Sequence, residues 1–268
     1  MRDLLLTQLA SLTSTQDKRN RLRRSLQVVL LKILHESPAG GALAFTGGTA
    51  LHFLYELPRF SEDLDFSLVR RDRYSPDALT VHLQGTLAQL ALPAEVKSGA
   101  TKTVHNISIR FPELLADAAI TSNKKEKMPI RLEIDTRPPA GWDTQISLIS
   151  DLFTIPILHF DLPSSFATKL HACLFRRYAK GRDFYDLMWY LGKKVPPNLK
   201  VLNHAIEQTE EDRVKIDPPR LKILLLERLD RLDISRLRQD VAPFLQRSEE
   251  ADLLEKSLMQ HVVSNYEF

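Results

Sequence analysis

Residues 45–68 read FTGGTALHFLYELPRFSEDLDFSL, and the fold follows from this stretch. A short apolar run, Ala42-Leu43-Ala44-Phe45, passes directly into Thr46-Gly47-Gly48-Thr49 and then Ala50-Leu51-His52-Phe53-Leu54-Tyr55. That is the pattern of a buried strand, a tight glycine turn and the start of a helix. Beyond Pro58, acidic and apolar residues alternate with period two, so Asp63 and Asp65 project from one face of a strand while Leu64 and Phe66 enter the core.

Working outward, residues 4–36 read as a helix, because Leu22, Leu26, Val29, Leu30 and Ile33 recur at helical spacing. Lys18, Arg19, Arg21, Arg23 and Arg24 crowd its earlier turns. Ser37-Pro38 ends it, since proline disfavours helical geometry in the residue before it. Downstream, residues 76–90 predict another helix, and residues 104–111 and 130–135 two further strands. From Pro163 the period becomes helical, with Phe166, Leu170 and Leu174 as one apolar stripe and Phe184, Leu187, Met188 and Leu191 as another. Residues 192–197 read as a connector, and 221–232 and 251–263 as the last helices. The fold class is therefore α+β. An N-terminal lobe (1–155) carries a mixed sheet flanked by helices, and a C-terminal lobe (156–268) is all helical.

Composition bounds the setting. With 43% hydrophobic and 26% charged residues the chain is an ordinary globular one. Its N-terminus shows neither a signal peptide nor a membrane span, so a cytoplasmic protein without membrane attachment is expected. Cys173 is the only cysteine, which excludes an internal disulfide and a cysteine-based zinc site. The net charge of +3 is small, but it is segregated: residues 165–200 hold eight Lys or Arg against two Asp, while residues 201–268 hold ten against fourteen acids. Lys169, Cys173, Arg176, Arg177 and Lys180 recur at helical steps and predict a basic ridge opposite the first apolar stripe.

Two carboxylates one residue apart on a strand suit a hard cation that bridges acids to substrate phosphates, as magnesium does. A third acid on a neighbouring strand completes such a site, and Glu133 and Asp135 share one strand face. Glu133 lies between Leu132 and Ile134, whereas Asp135 stands at the strand end, where it can equally cap the turn into Arg137-Pro138-Pro139. Either can supply the third acid, by binding metal or by accepting a proton from an acceptor hydroxyl. Taken singly, an Asp-x-Asp also describes the solvent face of many strands, and Gly47-Gly48 an ordinary turn. Together they set an anion-binding helix start beside a metal-binding strand edge. Thr49 and Ser61 can donate hydrogen bonds to a phosphate, or serve turns and caps locally. Arg59 suits phosphate or a neighbouring acid such as Glu62.

This arrangement resembles the nucleotidyltransferase superfamily related to polymerase beta, whose pattern is Gly-Gly or Gly-Ser, then Asp-x-Asp, then a third acid. More narrowly, residues 45–68 with their Arg59, Ser61, Asp63, Asp65 run, RLEIDTRPPAG (131–141) and ATKLHACLFRRYAKGRDFYDL (167–187) resemble, in order, the motifs of the AbiEii and AbiGii toxin family. The resemblance covers about residues 40–195. It implies a magnesium-dependent transferase in which Asp63, Asp65 and Glu133 are metal ligands. Gly47, Gly48, Thr49 and Ser61 would bind the nucleoside triphosphate, and Lys169 would reach it with Arg176. Asp183 would position Lys169 or the acceptor, and Asp186 would be structural. It further implies a toxin of a toxin–antitoxin or phage-defence system that adds nucleotides to RNA, with the acceptor end of transfer RNA as target and a separately encoded antitoxin as partner. Two alternatives remain open at this point: a transferase acting on a small molecule such as an antibiotic, and a non-catalytic nucleotide- or protein-binding module.

Overall fold

A computed structural model describes residues 1–210 and 215–268. The helix expected over residues 4–36 is two helices, α1 (Arg2–Thr7) and α2 (Thr15–Glu36). The break falls in a Ser/Thr-rich stretch, where the Ser14 side chain caps α2 by accepting from the Asp17 N–H. Then follow β1 (Leu43–Thr46), α3 (Gly47–Tyr55), β2 (Leu64–Leu68), α4 (Pro76–Gln89), β3 (Glu95–Thr101), β4 (Val104–Phe111) and the single turn α5 (Leu114–Asp117). The sheet continues with β5 (Met128–Asp135), β6 (Thr144–Ser150) and β7 (Thr154–Phe160). The chain ends in α6 (Leu162–Phe175), α7 (Gly181–Gly192), α8 (Leu199–Thr209), α9 (Pro218–Asp230), α10 (Ile234–Val241) and α11 (Lys256–Asn265).

The strands form one mixed seven-stranded sheet in the order β3-β4-β5-β2-β1-β7-β6. Strands β2 and β5 are parallel, as are β1 and β7, while β1–β2, β3–β4 and β4–β5 are antiparallel. One face is apolar: Leu64 and Phe66 of β2 align with Leu132 and Ile134 of β5, and Ile107 and Ile109 of β4 continue the layer. Leu22, Leu26 and Leu30 of α2 and Leu79, Leu83 and Leu87 of α4 are fully buried, and these helices contact β5 and β3 respectively. Burial of each such leucine contributes roughly 1.5–3 kcal/mol. The opposite face carries the residues between them, among them Asp65, Ser67, Asn106, Ser108, Arg131 and Glu133, which are polar and charged.

The boundary expected near residue 155 falls inside β7. The chain divides into two compact units, each discontinuous: Met1–Ala50, Glu62–Arg137 and Ile146–His159 form the first, and Leu51–Ser61, Pro138–Gln145 and Phe160–Phe268 the second. The second unit is built on α6–α11. Its core joins Phe166, Leu170 and Cys173 of α6 to Phe184, Leu187 and Leu191 of α7 and to Leu221, Leu225 and Leu229 of α9. Phe166 stacks on Tyr190 with centroids 4.4 Å apart. Gly181 opens α7 against α10, where a Cβ would lie 1.9 Å from the Leu237 carbonyl oxygen, so only glycine fits.

Candidate active site

The acidic residues assemble on the polar face of the sheet in the first unit. Strand register sets Asp65 of β2 directly beside Glu133 of β5, with Thr46 of β1 on its other side and Asn106 of β4 beyond Glu133. Neighbouring strands run about 4.8 Å apart, so the two carboxylates share one small patch. Asp63 stands two residues before Asp65 and one before the strand begins. Asp135 lies one row further, beside Ser67, and its Oδ1 accepts from the Arg137 N–H at 2.9 Å. Burial raises the Asp135 pKa, opposed by that hydrogen bond, and the residue caps the turn as its position at the strand end suggested. Glu133, the acid opposite Asp65, is 3.1 Å from the guanidinium of Arg131 on the same face. Arg131 also feels Asp63 and Glu62; the hydrogen bond to Glu133 is the largest of the effects raising its pKa.

Among the described residues no three His, Cys, Asp or Glu side chains gather tightly enough to hold a metal on their own. Glu133 is engaged by Arg131 rather than turned onto the two aspartates. What the sheet offers is an open edge of carboxylates. Such a donor set fits magnesium, which keeps several waters and substrate oxygens in its shell and takes only one or two carboxylates from a protein.

The glycine turn is built around this edge. Gly47 has φ +74°, and a Cβ there would lie 2.1 Å from Oδ2 of Asp65 and 2.8 Å from its Cβ and Cγ. The turn therefore needs glycine twice over, for its backbone angle and for the carboxylate that occupies the space of a side chain. Helix α3 begins at Gly47, so Gly47, Gly48 and Thr49 form the first turn, whose N–H groups have no acceptor inside the helix. Thr49 is fully buried and its hydroxyl donates to the Asp63 carbonyl oxygen, so this side chain holds the aspartate loop. Two side chains of α2 hold the loop from another direction. Gln27 Nε2 donates to the Glu62 carbonyl oxygen at 3.1 Å, and the buried guanidinium of Arg23 lies 3.2 Å from Glu62 Oε1. Burial lowers the Arg23 pKa, offset in part by Glu62 and Asp63.

The remaining residues gather in the second unit as an ion network. Arg59 pairs bidentately with Asp186, both contacts 2.6 Å and both side chains buried. Lys169 Nζ lies 2.8 Å from Asp183 and 2.8 Å from Asp186, and Arg176 bonds the second oxygen of Asp183. Three cations share two carboxylates, leaving one positive charge in excess. Burial alone would raise the Asp183 pKa and lower that of Lys169; the mutual attraction reverses both, so Asp183 is held low and Lys169 high. Cys173 is buried beside them with its pKa raised by desolvation. Ser61 is half-buried in the segment after Arg59.

The structure corrects one expectation here. Helix α6 stops at Phe175, so Arg176 is its C-cap and Arg177 and Lys180 lie in the exposed loop before α7, while Lys169 and Cys173 turn inward. There is no helical basic ridge. Arg59 pairs with Asp186, and Glu62 with Arg23. Arg23, Gln27 and Asp186 are the residues whose part in the site was not anticipated. Arg23 and Gln27 put a cation and an amide where the helical stripe calls for an apolar residue, and Asp186 is a carboxylate set between Phe184 and Leu187.

The chain matches, over residues 29–260, the model of a family described as nucleotidyl transferase AbiEii toxin, type IV toxin–antitoxin system. Two solved structures resemble it at low identity. One is a provisionally named nucleotidyltransferase from H. pylori, 20% identical, covering 92% of this chain and 96% of that chain with a TM-score of 0.54. The other is JHP933 from Helicobacter pylori, 21% identical, covering 90% of each chain with a TM-score of 0.51. No protein of curated function matches.

Proposed function

The chain belongs to the AbiEii nucleotidyl transferase toxin family, and from that premise we propose that it transfers a nucleotide from a nucleoside triphosphate to the 3′ hydroxyl of an RNA, with the acceptor end of transfer RNA as target. The observation that carries this reading is the register of Asp65 against Glu133, with Gly47 closed onto the Asp65 carboxylate. Asp63 and Asp65, with Glu133, would hold magnesium, which would offset charge on the triphosphate and on the leaving pyrophosphate. In the transfer the RNA 3′ oxygen bonds to the α-phosphorus as the bond from that phosphorus to the bridging oxygen breaks. Pyrophosphate leaves, and the hydroxyl proton passes to a carboxylate, for which Glu133 is the residue of choice. The first-turn N–H groups of α3 suit a phosphate oxygen. The family resemblance gives the triphosphate to Lys169, a cation kept protonated by Asp183 and Asp186, with Arg176 as a second cation.

A type IV toxin has an antitoxin counterpart, and the proposal includes a separately encoded antitoxin protein that restrains the transferase. Among the described residues no helix is long and apolar enough to cross a membrane. The test is incubation of the protein with total RNA, magnesium and each labelled nucleoside triphosphate in turn, beside an Asp63→Ala/Asp65→Ala control. Label in transfer RNA with the natural protein alone supports the proposal. Label in no RNA removes the RNA acceptor, and transfer to an added aminoglycoside in place of RNA would move the reading to a small-molecule acceptor.

A further inference from the structure

The polar face of the sheet does not end at the carboxylates. Following the register from Glu133 across β4 and β3, the next position is Asn106 and then Gly99, so the row beside the acids holds only small or neutral side chains. One row along, Arg131 aligns with Ser108 and Lys97. One row further, Arg110 aligns with Glu95, and Lys127, at the foot of β5, bonds Glu95. Lys97 and Arg110 are exposed, and the Arg131 side chain is 56% exposed. These groups form one cluster: the Glu95 pKa is lowered first by the hydrogen bond from Lys127 and then by the fields of Lys127, Lys97 and Arg110. At about 3.3 Å per residue, the two rows lie roughly 7 and 13 Å from the carboxylate row.

We infer that this open face of β3, β4 and β5 carries the phosphate backbone of the acceptor RNA, the single-stranded nucleotides just before the reactive 3′ hydroxyl. The inference rests on the RNA reading proposed above and adds the surface. Its charge runs in the required sense. Four cations against Glu95 face the strand's phosphates, and the acids sit where the strand must end. Positions 95, 97, 99, 106, 108, 110, 131 and 133 of this face include no aromatic side chain on which a base can stack. Recognition here is therefore of the backbone and tolerates any sequence.

The experiment measures binding of a short fluorescein-labelled single-stranded RNA by anisotropy, without nucleotide or magnesium, between about 50 and 200 mM salt. The Lys97→Glu/Arg110→Glu protein should bind at least about tenfold more weakly at the low salt, and its slope of log affinity against log salt should be shallower by about 1.4, the loss of two single-strand phosphate contacts. Glu95→Lys should shift affinity the other way. All three side chains are exposed, Glu95 and Lys97 on the edge strand β3 and Arg110 on β4 beside it, so unchanged thermal melting is the control for folding. An Arg177→Glu/Lys180→Glu protein tests the loop between α6 and α7 as the competing surface. Unchanged affinity and slope in Lys97→Glu/Arg110→Glu overturn the inference, whether or not the loop variant loses binding. If the natural protein binds no RNA under any condition, the RNA acceptor reading itself fails and takes this surface with it.

Discussion

Replacing Gly47 by alanine should damage the site far more than the fold. The new Cβ would start 2.1 Å from Oδ2 of Asp65, and ordinary contact begins near 3.4 Å, so the carboxylate must retreat by about 1.3 Å. Misplacing a reacting group by about 1 Å can cost on the order of 100-fold in rate. The backbone cost is smaller: an L-residue at φ +74° loses about 1–2 kcal/mol relative to glycine. For a chain of this size that corresponds to a melting point lower by about 2–8 °C. The assay is single-turnover nucleotide transfer at saturating magnesium, with growth arrest on induced expression as a parallel readout. The two effects separate in an Asp65→Ala background, where the carboxylate is absent. There Gly47→Ala should cost little further activity while keeping most of its effect on melting. Transfer at the natural rate by Gly47→Ala, or an undiminished rate loss from it when Asp65 is already alanine, would refute the reasoning.

Other predictions concern the ion network and the loop. Arg59→Met should destabilise the protein by about 3–5 kcal/mol in urea unfolding, because it leaves Asp186 buried without its bidentate partner, and Arg59→Met/Asp186→Leu should recover much of that loss. Asp183, whose pKa is depressed in the folded protein, contributes stability above the unfolded carboxylate pKa of about 4 that disappears as pH falls through its folded value. Lys169, whose pKa is raised, contributes stability that is complete below about pH 10 and is lost only as pH rises through its folded value. Acid titration of Asp183→Asn by circular dichroism should accordingly show a flatter decline than the natural protein; an identical acid limb would contradict the assignment. Arg23→Gln should raise the magnesium concentration needed for half-maximal transfer several-fold with a smaller effect at saturating metal, since Arg23 acts on Asp63 through the Glu62 loop. A fall in the saturated rate alone, with no shift in metal dependence, would argue for a different role. Cys173 should resist alkylation until the protein unfolds, as expected of a buried thiol with a raised pKa.

Much of the site was legible because its chemistry forces a period. The alternation around Asp63 and Asp65 dictates a strand face, and the partner strand shows the same alternation from Met128 to Asp135, so both acids of the pair stood out. Strand β3 was not legible: EVKSGAT lies at the sheet edge with six of seven residues exposed, so it has almost no apolar alternation to read. Strands β6 and β7 lay hidden beside the onset of helical period at Pro163, and β7 carries the sheet past the expected boundary. The end of α6 at Phe175 was missed because Arg176, Arg177 and Tyr178 include neither glycine nor proline. What stops the helix there is tertiary, with Arg176 drawn to Asp183 and Arg228 bonding the Cys173 and Arg176 carbonyl oxygens. The functional weight of Arg23 and Gln27 was invisible for a similar reason: a helical stripe says which side is buried, and only the fold says that the aspartate loop lies against it.

Besides its buried leucines, helix α2 is tied to distant parts of its unit by polar groups: Arg23 and Gln27 to Glu62, Arg19 to Glu126, Arg24 to Asp151. The last of these partners lies 127 residues downstream of its arginine. At a synthesis rate of about 5–20 residues per second, α2 leaves the ribosome roughly 6–25 s before Asp151 exists to receive it. Until then Arg24 has only water for company, whereas the buried Arg23 can already meet Glu62. A chain cut short before Asp151 would thus carry the Asp-x-Asp motif together with Thr49, Arg23 and Gln27, which hold its loop, and would lack the carboxylate that fastens the half-buried flank of α2 at Arg24.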